Sequence, residues 1–282
     1  MESKRLRKNK PISAATVRTF RKEVYGHFTR YGRDFPWRKT RDPYCILVSE
    51  IMLQQTQVDR VVQKYTEFID AFPDFASLHK ASLARVYAVW QGLGYNRRAL
   101  ALKRISEAVI NEHGGQLPDT VEKLSKLPGI GSATASSILV FAFSLPAVFI
   151  ETNIRTVFIH HFFQTRRKID DSEIAALVEK TLDKKDPAAW YSALMDYGAM
   201  LKRKHPNPTR KSAHYKTQSP FQGSKRQLRG AILRWLLKNP GCGQRQLAKE
   251  LKNNDARLLG EILEELQKEG LIVEKNRRFA IA

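Results

Sequence analysis

One glutamate in this sequence of 282 residues stands alone in an apolar stretch. Glu50 belongs to the segment 48–58, VSEIMLQQTQV, which is predicted to be helical. Desolvation by apolar neighbours is expected to raise the pKa of a carboxyl group, which can then act as a general acid near neutral pH. The alternative is that Glu50 faces solvent on an amphipathic helix and has no chemical role.

A second carboxylate lies in a polar island that follows the apolar run 138–148. This island is the segment 149–155, FIETNIR, in which Glu151 is followed closely by an amide side chain, Asn153. A carboxylate can stabilise or trap a positively charged reaction centre, as in glycoside hydrolysis, and Asn153 is placed to orient it. The alternative is that Glu151 or Thr152 caps the start of a helix.

A glycine hairpin lies between two predicted helices, one beginning near Asp119 and one covering residues 134–143. Its glycines permit a tight turn and a close approach of the backbone to a phosphate, and amides at the start of the second helix can bind the anion. An ordinary turn between packed helices is the alternative. The predicted contacts are Leu127, Gly129, Ile130, Gly131 and Ser132.

The composition points to a polyanionic partner. The chain has 49 Lys and Arg against 28 Asp and Glu, a formal net charge of +21, which favours nucleic acid. No apolar run approaches the ~20 residues that span a bilayer, and the basic start has no secretory pattern. Two isolated cysteines, Cys45 and Cys242, exclude a four-cysteine metal site and fit a reducing cytoplasm.

The pattern of apolar residues and prolines divides the chain into four predicted segments. Residues 1–13 are a basic disordered arm, and residues 14–201 form a helical domain in which prolines mark the helix boundaries. A basic linker without acidic residues follows at 202–224. The last segment, 225–282, is expected to form a small winged helix-turn-helix domain.

The predicted winged helix has three helices, at 227–238, 244–251 and 255–269, and two strands, at 271–273 and 279–281. The basic turn 275–278 between the strands is its best DNA contact. The presumed recognition helix is acidic, and a phosphate backbone would repel it, so the module has an alternative role in packing on the helical domain or binding a protein. The acidic residues of that helix are Glu261, Glu264, Glu265 and Glu269.

Residues 35–200 resemble the MutY branch of the helix-hairpin-helix DNA glycosylases. The resemblance implies an all-α core of two helical lobes, with Glu50 as the acid that protonates adenine and Glu151 in the place of the family's sugar-facing aspartate. Gln54 and Gln55 are similar to family residues that enter the DNA beside the extruded base, with surface glutamines as the alternative, and Tyr95 is a further predicted DNA contact. The motifs that carry the resemblance are FPWR at 35–38, DPY at 42–44, SEIMLQQTQV at 49–58, FP at 72–73, WQGLGY at 90–95, LPGIG at 127–131, Asn153, and MDYGA at 195–199.

Several positions depart from the family pattern. Glu151 is one methylene longer than the family's aspartate, and Asn96 replaces a tyrosine that wedges between bases. Ala133 stands where related endonuclease III enzymes have their Schiff-base lysine, which indicates hydrolysis without efficient lyase chemistry. The family's four-cysteine iron-sulfur loop and its domain for recognising 8-oxoguanine are both missing from the sequence. We therefore expect an enzyme without an iron-sulfur cluster or another cofactor.

Together these features predict a monofunctional DNA glycosylase of base excision repair. The expected substrate is double-stranded DNA with a mispaired or damaged base, and adenine opposite 8-oxoguanine or guanine is the first choice. Excision of uracil or thymine from mismatches is the alternative, and a DNA-binding protein without catalytic activity is the alternative of another class. We expect a monomer in the cytoplasm, associated with the nucleoid and with no membrane partner.

Overall fold

The structure is a computed structural model that describes residues 12–252 and 255–282. The basic arm predicted at 1–13 lies outside the described residues except for its last two positions. Ser13, the second of these, caps the first helix, because its Oγ accepts a hydrogen bond of 3.1 Å from the backbone N of Thr16.

The described residues form α-helices along most of their length, as the sequence predicts. The helices, in chain order, are α1 (Ala14–Tyr31), α2 (Pro43–Leu53), α3 (Val58–Ala71), α4 (Phe75–Lys80), α5 (Leu83–Trp90), α6 (Arg97–Glu112), α7 (Val121–Leu124), α8 (Ser132–Phe143), α9 (Thr152–Phe162), α10 (Asp171–Thr181), α11 (Pro187–Lys204), α12 (Lys225–Lys238), α13 (Gln244–Glu250) and α14 (Ala256–Lys268). The strands are β1 (Ile272–Lys275) and β2 (Arg278–Ile281).

Prolines open several of these elements. Pro43 and Pro187 begin α2 and α11, and Pro36 and Pro208 begin the short 3-10 turns Pro36–Arg38 and Pro208–Lys211. Proline suits the first position of a helix because the amide that it lacks would have no intrahelical acceptor there. The predicted use of proline as a helix boundary is therefore confirmed at Pro36, Pro43 and Pro187.

The chain divides into two compact units that are each built from two stretches of sequence. The first unit comprises the described residues up to Asp34 together with Ser144–Tyr215, and the second comprises Phe35–Phe143 with Lys216–Ala282. The four predicted segments are not tested by this division and stay a prediction. Within the segment predicted as a linker, α11 continues to Lys204, and Ser212 forms an isolated parallel bridge with Ile169.

The first unit has a core of large aromatic and aliphatic side chains from α1, α9, α10 and α11. Trp190, Tyr191 and Phe158 are fully buried in it. The buried carboxylate of Asp196 on α11 accepts two hydrogen bonds from Arg33, one of 2.8 Å from its backbone N and one of 2.7 Å from Nε. This pairing compensates the burial of a charge and ties the segment that follows α1 to α11.

The second unit is centred on α2, which is apolar on most of its surface. Ile51 and Met52 are fully buried, and α2 packs against both α3 and α8. Asp42 caps its first turn, since its Oδ1 accepts a hydrogen bond of 2.9 Å from the backbone N of Cys45. A rigid, buried helix therefore carries Glu50 near its end.

The C-terminal elements belong to this second unit. The structure has the three helices and two strands that the sequence predicts, with β1 and β2 antiparallel and Lys275 opposite Arg278. The turn between them is shorter than predicted: only Asn276 and Arg277 lie outside the strands, both with positive φ. The identification of these elements as a winged helix stays a prediction.

The acidic side chains at the end of α14 are engaged in ion pairs. Glu269 Oε2 lies 2.5 Å from Arg229 Nη2 and 3.2 Å from Arg97 Nε on α6, and Glu265 pairs with Lys225 and Arg229. Arg104 on α6 also donates to the backbone carbonyl of Glu269. These contacts correspond to the alternative in which the C-terminal module packs on the helical domain.

Candidate functional site

Glu50 makes a specific contact with the helix beside it. Ser137 on α8 donates from its Oγ to Glu50 Oε2 at 2.5 Å, and the same Oγ lies 2.9 Å from the carbonyl oxygen of Thr134. Glu50 is half-buried. Its exposure is therefore intermediate between the two alternatives that the sequence allows, a desolvated carboxyl group and one that faces solvent. The pair accommodates both protonation states: a protonated Glu50 can donate to Ser137, whose own hydrogen then goes to Thr134.

The end of α2 is joined to the glycine hairpin. Gln54 Nε2 donates to the backbone carbonyl of Gly129 and to Thr134 Oγ1, both at 3.3 Å. Gln55, the next residue, is exposed and has a positive φ of 53°. The structure therefore brings Glu50 and Gln54 together with the hairpin and leaves the side chain of Gln55 free to meet a ligand.

Within the hairpin, glycine is required at one position in particular. Gly129 has a φ of 77°, and a Cβ added there would lie 2.9 Å from the Cβ of Ala101. Gly131 and Ser132 are exposed at the start of α8, where helix amides lack intrahelical acceptors. Their backbone can therefore reach an anion.

Two predicted contacts of the hairpin have buried side chains. Leu127 and Ile130 are each 5% exposed, and the backbone N of Ile130 donates to the carbonyl oxygen of Leu127 at 3.2 Å. Their packing holds the hairpin against the core. A DNA contact from these two residues stays a prediction.

Arg98, at the start of α6, holds two turns in place. Its Nη1 donates to the carbonyl oxygens of Met52 and Gln54, both at 2.7 Å, and its Nη2 donates to those of Leu93 and Gly94, at 3.1 and 3.2 Å. Burial lowers the pKa of Arg98 to about 10, so it keeps its charge at neutral pH. The guanidinium satisfies carbonyls at the end of α2 that have no helical partner.

Tyr95 projects from the second of these turns. It has a φ of 48°, is 38% exposed, and its hydroxyl accepts a hydrogen bond of 3.1 Å from Arg226 Nη1 and another from Gln218. Gln218 and Arg226 belong to the C-terminal part of the same unit. The side chain of Tyr95, a predicted DNA contact, is thus accessible and is held by two residues that the sequence did not single out.

In the first unit, Glu151 is the N-cap of α9. Its Oε1 accepts hydrogen bonds from the backbone N of Asn153 at 2.7 Å and of Ile154 at 2.8 Å, and its Oε2 accepts from Asn153 Nδ2 at 3.3 Å. The capping role and the orientation by Asn153 that the sequence suggested are both present. They are compatible, because a cap fixes the carboxylate without neutralising it.

The electrostatics of this carboxylate are set by burial and by two cations. Desolvation raises the pKa of Glu151, while hydrogen bonds from the backbone of Asn153 and Ile154, and the charges of Lys202 and Arg155, act to lower it. The residue keeps some exposed surface, but protein atoms surround its carboxyl group. Burial in turn lowers the pKa of Lys202, which the negative charge of Glu151 partly restores.

The cysteines do not fit the iron-sulfur cluster of the family. Such a cluster needs four thiolate ligands, and the chain has only Cys45 on α2 and Cys242, which is buried beside β2. Over residues 12–252 and 255–282, no group of three or more His, Cys, Asp or Glu side chains could hold a metal ion.

Besides Gln218 and Arg226, which contact Tyr95, three residues of these arrangements were missed by sequence reasoning. Ser137 lies in a helix of small and apolar residues where nothing marks it as special, Arg98 is one arginine among many, and Lys202 falls in a basic run. For Ser137, the one signal in the sequence is that serines interrupt the apolar helix α8. This pattern does not indicate which of the serines contacts Glu50.

Residues 48–184 match the family model described as HhH-GPD superfamily base excision DNA repair protein. The match covers 137 of the 282 residues. An adenine DNA glycosylase of Buchnera aphidicola subsp. Baizongia pistaciae is 35% identical over 181 residues, which cover 63% of this chain and 50% of the relative. The human adenine DNA glycosylase is 32% identical over 199 residues, which cover 66% of this chain and 36% of the relative.

Other relatives of the HhH-GPD region are named for a different base. A thymine/uracil-DNA glycosylase of Pyrobaculum aerophilum is 36% identical over 137 residues, covering 48% of this chain and 60% of the relative. The solved structure of a thermostable thymine-DNA glycosylase superposes with a TM-score of 0.60 at 25% identity, covering 69% of this chain and 91% of the other. A trapped endonuclease III–DNA complex, at 18% identity and a TM-score of 0.58, shares the fold over 75% of this chain and 91% of the other.

These comparisons confirm the predicted helix-hairpin-helix fold and the resemblance to adenine DNA glycosylases. The chain spans half or less of the length of the bacterial and human adenine DNA glycosylases that it matches. No helix among the described residues is both long and apolar enough to cross a membrane.

Proposed function

We propose that this chain is a DNA N-glycosylase that hydrolyses the glycosidic bond of a mispaired base, with adenine opposite 8-oxoguanine or guanine as the preferred substrate. The observation that carries the proposal is the position of Glu50. Its carboxyl group accepts a hydrogen bond from Ser137 on α8, and its own helix, α2, is joined at its end to the hairpin through Gln54. A proton donor is thereby attached to an element suited to binding phosphate. The relatives named as adenine DNA glycosylases support the choice of base.

In the proposed reaction, Glu50 is the general acid. Adenine leaves poorly as an anion, so the glycosidic bond breaks when the base receives a proton as the bond lengthens. Ser137 can hold the acid before transfer and can donate to the carboxylate afterwards, because its hydroxyl both accepts and donates. Glu50 is thus held in place before and after it loses its proton.

The proposed role of Glu151 is electrostatic. Loss of the base leaves positive charge on the deoxyribose, and a carboxylate facing the sugar stabilises this charge or traps it until water completes hydrolysis. The amides of Asn153 and Ile154 orient the carboxylate and do not transfer a proton to it. The negative charge is therefore preorganised, which is the condition for its use in the transition state.

DNA binding is assigned to the hairpin backbone at Gly129, Gly131 and Ser132, and to Gln54, Gln55 and Tyr95. Backbone amides, and the basic side chains that give the chain a net charge of +21, can bind phosphates without reading sequence. The amide side chains of Gln54 and Gln55 can meet base edges beside an extruded nucleotide. We expect the protein to act as a monomer on duplex DNA, in association with the nucleoid. Binding should weaken steeply as salt rises, since counterions are released from the phosphates.

We infer that the enzyme lacks efficient lyase activity and needs no cofactor. Ala133 is exposed at the second position of α8, where its methyl group offers no amine for a Schiff base. The product is then an abasic site in an unbroken strand. The two cysteines of the sequence are too few to supply the four thiolates of an iron-sulfur cluster.

The test is single-turnover base release from a panel of duplexes. The panel contains adenine opposite 8-oxoguanine, guanine or thymine, uracil opposite guanine or adenine, and thymine opposite guanine. We expect adenine to be released fastest from its mispairs, with strand breaks only after alkali. Faster release of uracil or thymine would assign the chain to the activity named for its archaeal relative, and binding without any release would leave a DNA-binding protein that is not an enzyme.

A further inference from the structure

Helices α9 and α11 approach each other at a point where one of them has no side chain. A Cβ added to Gly198 on α11 would lie 2.3 Å from the backbone oxygen of Asn153 on α9, much closer than atoms can come. Lys202 follows Gly198 by four residues and therefore lies on the same face of α11. The close approach brings the start of α9 within reach of this lysine.

Lys202 contacts two side chains in the first turn of α9. Its Nζ donates to Thr152 Oγ1 and to Asn153 Oδ1, both at 3.0 Å. An asparagine amide presents its oxygen on one side and its NH₂ on the other. With the oxygen of Asn153 facing Lys202, the NH₂ faces the other way and donates to Glu151 Oε2 at 3.3 Å.

The charges around Glu151 single out the same lysine. Two cations face the carboxylate, Arg155 from α9 and Lys202 from α11. Arg155 is paired with Asp171 on α10 through two hydrogen bonds of 2.8 and 2.6 Å, so its charge is already shared with another carboxylate. Lys202 donates to a hydroxyl and an amide, which are neutral, so these two contacts do not divert its positive charge to a second carboxylate.

We infer that Lys202 is a positioning residue for base excision: it fixes the Asn153 amide in the orientation that donates to Glu151, and it places a positive charge opposite that carboxylate. This inference rests on the proposed role of Glu151 at the sugar. Without the lysine, desolvation acts on Glu151 with less opposition, and the carboxylate becomes protonated at a higher pH. The enzyme would then lose its negative charge at a pH where the wild type still has it.

The test compares single-turnover base release, as a function of pH, in the wild type and three variants. For Lys202→Met we expect the acidic limb of the profile to move upward by about one pH unit, so that at any pH on that limb the rate falls about ten-fold. Lys202→Arg keeps the charge and should retain most of the wild-type profile. Lys204→Met, which removes an exposed charge from the same helix, is the matched control and should leave the limb in place.

An acidic limb that is unchanged in Lys202→Met, or moved equally in Lys204→Met, overturns the inference. If Lys202→Met does not fold, Lys202→Gln replaces it, since glutamine keeps a donor but loses the charge, and the same shift is expected. Duplex affinity, measured alongside, should fall no further in either variant than in Lys204→Met.

A second measurement separates this inference from the proposed function. The free energy of unfolding is determined at pH 7 for the wild type, Lys202→Met, Glu151→Gln and the double variant. We expect the double variant to be more stable than the sum of the single effects predicts, because each single change leaves a buried charge without its partner. Additive effects contradict the inference. A wild type that releases no base refutes the proposed function, while this cycle still decides the role of Lys202.

Discussion

The hydroxyl of Ser137 lies 2.5 Å from Glu50 Oε2, and the two residues meet from different helices, α8 and α2. The contact links a residue that sequence reasoning selected to one that it passed over. It also provides a partner for the carboxyl group in both of its protonation states. The first two predictions concern this pair.

Replacement of Glu50 by glutamine should abolish release of adenine while duplex binding survives. The amide keeps nearly the same shape and can still accept from Ser137, but it carries no acidic proton. The rate is measured in single-turnover assays and binding by fluorescence anisotropy on the same duplex. A variant that releases adenine at the wild-type rate would refute the assignment of Glu50 as the acid.

Replacement of Ser137 by alanine should slow adenine release by about ten-fold to a hundred-fold, the range expected for loss of one hydrogen bond to a charged group. Ser106→Ala is the matched control, since Ser106 is also buried on a helix of the second unit but donates only to the backbone of Lys103. The control should keep its activity. Equal losses in the two variants would show that the effect of Ser137 is structural.

How much of this site the sequence predicts depends on the range of the contacts. The hairpin, the cap at Glu151 and the three C-terminal helices follow from local patterns, and they lie within a few residues of their predicted bounds. Ser137 and Glu50, however, are 87 residues apart, and Lys202 and Asn153 are 49 apart. Neither pair follows from a periodicity, because the packing of whole helices determines which side chains meet.

Replacement of Arg98 by methionine should lower the free energy of unfolding by about 3 kcal/mol or more, because several buried carbonyl groups lose their donor at once. Arg97→Met is the control: its guanidinium is exposed and forms a surface pair with Glu269, so about 1 kcal/mol or less is expected. Urea denaturation followed by circular dichroism gives both values. Similar losses in the two variants would contradict the role given to Arg98.

The stability of the protein should fall as the pH drops below about 6.5, the ordinary pKa of histidine. Burial lowers the pKa of His27, His160 and His161 in the first unit. The unfolded chain therefore binds protons at a pH where the folded chain does not, and acid favours unfolding until the folded histidines are also protonated. Urea denaturation between pH 8 and pH 5 measures the slope.

His161→Phe should reduce this slope, because it removes one of the three groups while it keeps an aromatic ring. His113→Gln, in the second unit, serves as the control. A slope that is unchanged in His161→Phe, or reduced equally in the control, would show that His161 does not contribute to the pH dependence.

Replacement of Ala133 by lysine should confer strand-cleaving lyase activity on an enzyme that otherwise leaves an intact abasic strand. The new amine would attack the sugar carbon of the abasic site and form an imine with loss of water, which permits elimination of the 3′ phosphate. Borohydride trapping of a protein–DNA adduct is the measurement, with nicking in the absence of alkali. Efficient trapping by the wild type would refute the proposal of a monofunctional enzyme, and a folded variant that never traps would refute the alignment of Ala133.

The guanidinium of Arg98 donates to the turn after α2 and to the turn before α6, and this arrangement affects how the enzyme can be engineered. The two turns carry Gln54, Gln55 and Tyr95, which are proposed to contact DNA, and the same guanidinium donates to both turns. A substitution that shifts one turn will be transmitted to the other, so the effects of mutations at the two sites should be non-additive. Libraries aimed at a new base preference should therefore randomise residues 54–56 and 93–96 jointly and keep Arg98, because a search of one turn at a time will miss combinations that work only together.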